Sequence, residues 1–205
     1  LAAFTLANNI QSVALGIFGV AFSVAVFPAL SIAIAERQEK VFFTLLADTT
    51  RRILFFVLPL SALMIVFRAQ FVRVILGSGQ FNWEDTIVTF NVLALLSVSL
   101  FAQSLIPLFA RGFFALQNTK TPLLIAFWSE VFHVVLLVIL RQSFSFSIEM
   151  LASAFSFVTI VNFGLLYFML KRQARYWDDT RMLIPALKIA LAAVLAGVFA
   201  QISKY

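Results

Sequence analysis

The sequence contains no cysteine and only one histidine, and it is poor in charged side chains. The absence of cysteine excludes a disulfide framework and a thiolate metal site, and a single histidine excludes a histidine cluster that could hold a metal. Charged residues make up 12% of the 205 residues, whereas an ordinary soluble domain carries about 25%. Nine acidic and fifteen basic side chains cannot cover the surface of a soluble globule of this size. The composition therefore indicates a protein whose solvent is lipid.

Signatures of soluble enzymes are also missing. The sequence has no glycine-rich phosphate loop with a lysine and no defensible Ser/His/Asp arrangement, which argues against an enzyme. A net charge of +6 would suggest a nucleic-acid partner in a soluble protein, but here the basic residues lie in short segments between long apolar runs. This distribution is typical of membrane topology signals, so we expect no nucleic-acid partner.

Hydrophobic residues make up 62% of the chain and are concentrated in six long runs. A membrane-crossing helix needs roughly 20 mostly apolar residues, and backbone groups in lipid must be paired internally, which leaves helices or closed barrels. The runs are continuous rather than alternating, which favours helices. We therefore predict an all-α integral membrane protein with about six spans. These cover residues 5–35, 53–67, 86–110, 122–140, 150–170 and 183–202.

Three other features refine this prediction. Residues 37–52, RQEKVFFTLLADTTRR, carry charges at both ends of an apolar centre and predict an interfacial helix that leads into the second span. Residues 68–85 are too short and too charged to cross, and they contain the turn sequence GSGQFN, so we expect a short surface helix and a loop. In the first run, Gly16, Gly19 and Pro28 predict a helix that is bent or closely packed.

Lysine and arginine are distributed unequally among the connections between the runs. These residues remain preferentially in the cytoplasm when loops are short. The first, third and fifth connections hold ten of them, and the second and fourth hold three. We therefore expect the chain to start on the outer side of the membrane. The ten are Arg37, Lys40, Arg51, Arg52, Arg111, Lys120, Lys171, Arg172, Arg175 and Arg181, and the three are Arg68, Arg73 and Arg141.

The stretch RGFFALQNTKTP, residues 111–122, is a cytoplasmic connector in this topology. Polar residues 117–119 are expected to form the turn, and Pro122 to open the next helix, where its missing N–H has no cost. Arg111 and Lys120 are interpreted as topology signals, with contact to anionic headgroups or to a substrate phosphate as the alternative.

Two stretches of the sequence resemble the MurJ (MviN) family of lipid II flippases. RGFFALQNTKTPLLIAF, which starts at Arg111, is similar to a family connector with an arginine, an aromatic pair and a Thr-basic-Thr-Pro motif that here ends in Lys120, Thr121 and Pro122. LGIFGVAFSVAVFPALSIAIAE, residues 15–36, is similar to a second family stretch with a Gly-x-x-Gly-Val-Ala run and a Pro-x-Leu-Ser sequence. The six spans and the outward start match the eighth to thirteenth helices of the family.

The resemblance implies a fourteen-helix, two-lobe membrane protein of the MATE-like superfold, in which residues 1–205 form part of the C-terminal lobe. It implies that lipid II, or a related undecaprenyl-linked substrate, moves across the bacterial cytoplasmic membrane by alternating access. It further implies a full-length monomer among membrane lipids, without a cofactor, driven by sodium ions, protons or the membrane potential. A polysaccharide-lipid or drug exporter of the same superfold and a non-transporting cell-wall scaffold are the alternatives.

An ionisable pair lies in the fourth predicted span. Because a charge at the membrane centre costs about 2.5–3.5 kcal/mol, Glu130 and His133 in WSEVFHVV require an explanation. Three residues apart, they share one helix face. One interpretation is a coupling site for a cation or proton, and the other is a protonated Glu130 that holds helices together by hydrogen bonds. Gln103 and Asn162, in the third and fifth spans, are expected to form interhelical hydrogen bonds.

The first run begins with the polar residues Asn8, Asn9, Gln11 and Ser12. The resemblance implies that this region lines the central cavity, where many family members carry arginine at the position of Asn9, with acidic residues nearby. Asparagine can donate hydrogen bonds to phosphate, but it lacks the charge and the bidentate geometry of arginine. Either the rest of the protein supplies the charge or this member transports another substrate. Polar residues near the outer interface, without contact to substrate, are the alternative.

Overall fold

The computed structural model describes residues 2–76, 83–143, 147–174 and 179–202, and within these ranges the chain forms helices joined by short turns, without a strand. The all-α class is therefore confirmed. The predicted GSGQFN turn, residues 77–82, and Arg175 lie outside the described residues. The helices are α1 (Ala2–Ala14), a π-helical segment (Leu15–Val20), α2 (Ala21–Ala35), α3 (Glu39–Val66), α4 (Arg68–Leu76), α5 (Trp83–Val98), α6 (Leu100–Ala115), α7 (Lys120–Ser143), α8 (Ile148–Gln173) and α9 (Asp179–Ile202).

Several of these helices are long and apolar enough to cross a membrane. Over the described residues they are Ala2–Ala35, Glu39–Val66, Lys120–Gln142 and Ile148–Gln173. A fifth span results if Thr86–Val98 and Leu100–Ala115, which meet at 44°, are counted as one broken helix. Five of the six predicted runs correspond to these segments. The sixth run lies in α9, whose described apolar stretch, Ile184–Gly197, is shorter than a bilayer crossing requires.

The predicted interfacial helix at residues 37–52 is wrong as a separate element, because α3 continues without interruption from Glu39 to Val66. Phe42, Phe43, Leu46, Ala47, Ile53, Leu54 and Val57 are buried at helical spacing along one side of α3. A Cβ atom at Gly112 of α6 would lie 3.5 Å from Leu46. The first half of α3 therefore packs inside the bundle, and the charges at its ends do not divide it from the second half.

The first span contains the close packing that its glycines predict. The N–H of Ala21 donates to the carbonyl of Gly16, five residues earlier, which closes the π-helical segment. A Cβ atom at Gly19 would lie only 2.8 Å from the Cα of Ser104 in α6, so the two backbones meet at a position where only glycine fits. Gly16, in contrast, has no neighbour within 4 Å of such an atom. Gly19 therefore fixes the crossing of the first span with α6.

The third predicted span is broken at Ser99, between α5 and α6. The backbone N–H of Ser99 bonds to the carbonyl of Leu96 at 3.1 Å, a tighter turn than that of an α-helix. The Ser99 hydroxyl lies 3.1 Å from the Ser156 hydroxyl of α8, which donates to the carbonyl of Leu95 at 2.8 Å. Gln103 donates to the Ser99 hydroxyl at 2.9 Å, four residues earlier in the same span, so its own bond is not the interhelical one that was predicted and it reaches α8 only through Ser99. The bend is thus held by hydrogen bonds to α8.

Two turns close in the same way, one between α2 and α3 and the other between α6 and α7. Arg37 and Gln117 adopt positive φ angles of 60° and 59°. The next N–H in each turn bonds to a carbonyl five residues earlier, at 2.8 Å from Gln38 and at 2.9 Å from Asn118. The Asn118 side chain also accepts a 3.2 Å bond from the N–H of Thr121 and caps α7. The predicted turn at residues 117–119 is confirmed.

The largest core cluster is centred on α6, which packs against the π-helical segment, α2, α3 and α8. Leu108, Phe109 and Phe113 of this helix are fully buried. The ring of Phe109 meets the ring of Phe163 in α8 at 5.3 Å, edge to face. The hydrophobic packing between these helices therefore sets the positions of the polar residues at the edges of the bundle.

Candidate functional site

The polar residues of α1 divide between two directions. Asn9 and Ser12 are exposed, Asn8 is half-buried, and the Ser12 hydroxyl donates to the carbonyl of Asn9 at 2.8 Å. Gln11 is only 1% exposed, and neither of its amide atoms has a hydrogen-bond partner within the described part of the chain. The predicted group of four therefore separates into an outward polar stripe of Asn8, Asn9 and Ser12 and an inward Gln11. The stripe therefore exposes neutral hydrogen-bond donors and acceptors.

Glu130 and His133 come together on α7 as their spacing predicts. The His133 Nδ1 lies 3.7 Å from a carboxylate oxygen of Glu130. The Glu130 side chain is 74% exposed and the His133 side chain 15% exposed, so the carboxylate points outward and the imidazole inward. The His133 ring lies 6.0 Å from the ring of Phe155 in α8. The pair therefore joins the outer surface of α7 to the contact between α7 and α8.

The contact between α7 and α8 contains further polar atoms without hydrogen-bond partners in the described ranges. They are the His133 Nε2, the Ser129 Oγ and the Asn162 Oδ1, all buried. Ser129 precedes His133 by four residues, and Asn162 follows Phe155 by seven, so helical periodicity places them on the facing sides of the two helices. Ser129 was not among the predicted site residues, although its i, i+4 spacing to His133 indicates a shared helix face. Asn162, expected to bond between helices, has an unpartnered carbonyl oxygen here.

The described residues form no metal site of acidic, histidine or cysteine side chains, because no three of these side chains come together closely enough to hold an ion. Glu130 lies instead beside a shallow groove of about 320 Å³ on α7, with Phe127, Val131 and Val134 as neighbours. Between residues 121 and 140 of the sequence, Glu130 is the only acidic residue and His133 the only basic one. The outer surface of α7 is therefore apolar around a single carboxylate.

The connector motif lies at the turn between α6 and α7. Pro122 is buried in the first turn of α7, and the N–H of Thr121 is occupied by the Asn118 cap. Arg111 is half-buried and Lys120 is exposed. Thr121 and Pro122 thus shape the turn, whereas the two basic side chains remain available at its surface.

An apolar groove of about 400 Å³ opens between α3, α6, α8 and α9. Its walls include Leu54 and Leu58 of α3, Leu105 of α6 and Phe163 of α8, and no charged residue lines it. The Thr50 hydroxyl, which also borders the groove, is buried without a hydrogen-bond partner in the described part of the chain. A groove of this size and composition suits an aliphatic chain rather than a charged headgroup.

Comparison with known sequences relates the whole chain to one family. The family model described as lipid II flippase MurJ matches residues 1–205. A probable lipid II flippase MurJ of Rhizobium meliloti is 31% identical over 198 residues, which cover 96% of this chain and 37% of the relative. That of Buchnera aphidicola is 28% identical over 189 residues, which cover 92% of this chain and 36% of the relative. The chain therefore spans little more than a third of the length of these relatives.

Comparison with solved structures supports the fold. A structure of lipid II flippase MurJ in an inward closed conformation matches 100% of this chain and 41% of its own, with a TM-score of 0.83 at 22% identity. At this level of identity the likeness establishes the helical membrane fold. Because the family model matches the chain over its full length, the chain belongs to the MurJ family of lipid II flippases.

Proposed function

We propose that the full-length protein containing this chain moves lipid II across the bacterial cytoplasmic membrane, and that residues 1–205 form part of its C-terminal lobe. The match of the family model to the whole chain carries this proposal. Transport proceeds by alternating access of a full-length monomer among membrane lipids, without covalent catalysis. Lipid II has a large polar head and a hydrocarbon tail, so a polar path and an apolar path are both required.

The polar stripe of Asn8, Asn9 and Ser12 contributes to the path of the headgroup. The side chains of Asn9 and Ser12 are exposed and can exchange hydrogen bonds with phosphate or sugar oxygens. Gln11 does not contact substrate directly, because it is buried towards the bundle. The apolar groove beside α3 is suited to the hydrocarbon tail, since its lining residues carry no charge.

Glu130 and His133 form part of a coupling site for a sodium ion or a proton. Glu130 is the one acidic side chain on α7, and the buried polar atoms of Ser129 and Asn162 lie in the same α7–α8 contact as the imidazole of His133. Hydroxyl and amide oxygens are suitable ligands for a hard cation, and imidazole is suitable for proton exchange. Binding of a sodium ion or a proton at this site, together with the membrane potential, would favour one of the two orientations that alternating access requires.

The orientation of the chain follows from its basic residues, with the turn between α6 and α7 in the cytoplasm. Arg111 and Lys120 hold this turn at the inner surface, where anionic headgroups are enriched. Because the chain lacks cysteine, Thr119→Cys would introduce a single thiol into it at an exposed position. Labelling with a membrane-impermeant maleimide should occur only after the cytoplasmic side is opened. Labelling in intact cells would reverse the proposed orientation.

A second candidate function is the export of another lipid-linked polysaccharide or a drug. The neutral Asn9, at the position where the family resemblance implies arginine, favours it. The two functions differ in the charge of the headgroup that the first span must accommodate. A non-transporting scaffold for cell-wall enzymes is the third candidate, and complementation distinguishes it from both kinds of transport.

Complementation tests these functions. The full-length gene is expressed in bacteria depleted of their own lipid II flippase, and survival is followed together with membrane expression. Rescue is the expected result. Failure of the wild type with rescue by Asn9→Arg would indicate an exporter with a different headgroup preference. Failure of both variants, with the protein present in the membrane, would favour the scaffold.

A further inference from the structure

Two adjacent arginines lie far along α3 rather than at its end. Arg51 and Arg52 are exposed, and neither has a hydrogen-bond or ion-pair partner in the described part of the chain. Arg51 follows Glu39, the first residue of the helix, by twelve positions, which corresponds to about 18 Å along the axis. Their charges predicted a connection between spans, whereas the continuous α3 places both residues on the exposed side of a long helix.

The neighbours of this arginine pair place it beside an uncharged part of the first span. Phe56, one turn beyond Arg52, stacks on Phe18 of the π-helical segment at 5.1 Å. The adjacent helix α2 has no charged residue from Ala21 to Ala35 and exposes Val24 and Ile32. Both arginines lie within the span-length helix Glu39–Val66, where a guanidinium directed into hydrocarbon would be disfavoured, and arginines in such positions usually face water or bind an anion. A hydrated or anionic surrounding would remove this cost for the arginine pair.

The exposed side of α3 changes character at the arginine pair. Before it, Lys40, Thr44 and Asp48 follow one another at helical spacing, exposed or half-buried. After it, Phe55 and Phe56 are exposed and apolar. Asp48 lies one turn before the arginines but forms no ion pair with either of them. The arginine pair thus marks the point on α3 where the polar side chains of Lys40, Thr44 and Asp48 give way to exposed apolar ones.

We propose that Arg51 and Arg52 bind the phosphate of a lipid headgroup at this boundary on α3. Guanidinium groups match the geometry of phosphate oxygens through paired N–H donors. The exposed phenylalanines one turn further on lie where the hydrocarbon part of the same lipid would begin. The phosphate can belong to a lipid-linked diphosphate or to an anionic phospholipid. The first case rests on the proposed function, and the second does not.

Binding to the purified full-length protein in neutral detergent tests the proposal. The probes are undecaprenyl diphosphate, phosphatidylglycerol and, as a lipid without phosphate, diacylglycerol. The double variant Arg51→Gln/Arg52→Gln should weaken binding of a phosphate-bearing lipid by about tenfold or more. The double variant Arg51→Lys/Arg52→Lys should retain part of the affinity, because it keeps the charge and loses the bidentate geometry. Lys40→Gln, on the same helix, should leave binding unchanged.

The pattern among the probes identifies the source of the phosphate. Weaker binding of undecaprenyl diphosphate alone would assign the site to a transported lipid, and equal weakening with phosphatidylglycerol would assign it to phosphate-bearing lipids generally. Unchanged binding of both, or equal weakening with diacylglycerol, would overturn the proposal. Thermal unfolding of each variant separates loss of the site from loss of the fold. The full-length protein could fail to complement and still bind phosphatidylglycerol in a way that depends on the two arginines. That result would reject lipid II transport and leave the lipid-phosphate site on α3 standing.

Discussion

Helices α6 and α7 follow one another along the chain, yet they differ sharply in how much of their surface is buried. Nine residues of α6 are buried, among them the fully buried Phe109 and Phe113. In α7, between Lys120 and Gln142, the buried side chains are those of Pro122, Ile125 and Ser129. The side chains of α6 are therefore specified by their neighbours in the bundle. Those of α7 are available to lipid, to ions or to other parts of the full-length protein.

This difference separates two kinds of evidence. An apolar residue in α6 is explained by packing, so its replacement informs about the stability of the lobe. Packing within the bundle does not explain a charged residue on the exposed apolar side of α7. Glu130 is such a residue, and its replacement should inform about function. Four variants test this division. Their expected loss of stability decreases from Phe109→Ala to Glu130→Gln.

The largest loss of stability is expected for Phe109→Ala. The side chain is fully buried and its ring meets those of Phe163 and Tyr167 at 5.3 and 6.0 Å. Truncation should reduce the free energy of unfolding by about 3–5 kcal/mol. Phe127→Ala on α7, where the side chain is 57% exposed, is the matched control and should cost far less. Unfolding of the full-length protein in mixed micelles measures both, and equal costs would mean that α7 is covered in the complete protein.

A smaller loss is expected where the first span crosses α6. Gly19→Ala places a Cβ atom 2.8 Å from the Cα of Ser104, so one backbone must shift. The cost should be about 1–3 kcal/mol. Gly16→Ala, in the same π-helical segment, meets nothing within 4 Å and should leave the unfolding transition in place. If both variants behaved alike, the close crossing of the two backbones would be contradicted.

The hydrogen-bond network at the bend between α5 and α6 should contribute less. Ser156→Ala removes the 2.8 Å bond to the Leu95 carbonyl and the 3.1 Å contact with Ser99. The expected cost is about 0.5–1.5 kcal/mol. Ser153→Ala is the control on the same helix, because its exposed hydroxyl bonds only within α8, to Met150. Identical unfolding curves for the two variants would show that the network does not hold the bend.

The smallest effect on stability, together with a large effect on function, is expected for Glu130→Gln. Within the described residues the exposed carboxylate has one ion-pair partner, His133 at 3.7 Å, so the free energy of unfolding should change by less than about 0.5 kcal/mol. Growth of a strain that depends on the full-length protein should nevertheless be impaired, because the amide cannot carry the charge. Glu39→Gln, another exposed acid, should support normal growth. Normal growth with Glu130→Gln would reduce the pair to a packing role.

The sequence was sufficient for features that depend on local pattern. The apolar runs predicted the helices, the polar residues 117–119 predicted the turn, and the spacing of Glu130 and His133 predicted their proximity. Each of these rests on composition or helical periodicity within a few residues. The glycine pattern likewise predicted close packing in the first span, which the contact of Gly19 with α6 confirms.

Features that depend on a distant partner could not be predicted in the same way. The charges of Arg51 and Arg52 suggested a boundary in α3, whereas packing against α6 keeps the helix continuous. The break at Ser99 follows from hydrogen bonds to Ser156, 57 residues away. The inward direction of Gln11 depends on which side of α1 meets its neighbours. In each case tertiary contacts, rather than local sequence, determined the outcome.

The measurement that tests the central claim most directly is the appearance of lipid II on the outer surface of the membrane. Cells depleted of their own flippase would express the full-length protein that contains this chain, and outward-facing lipid II would be quantified with an impermeant probe. We predict that lipid II reaches the outer leaflet at a rate restored towards that of undepleted cells. Retention of lipid II in the inner leaflet, with the protein correctly inserted, would contradict the proposed function.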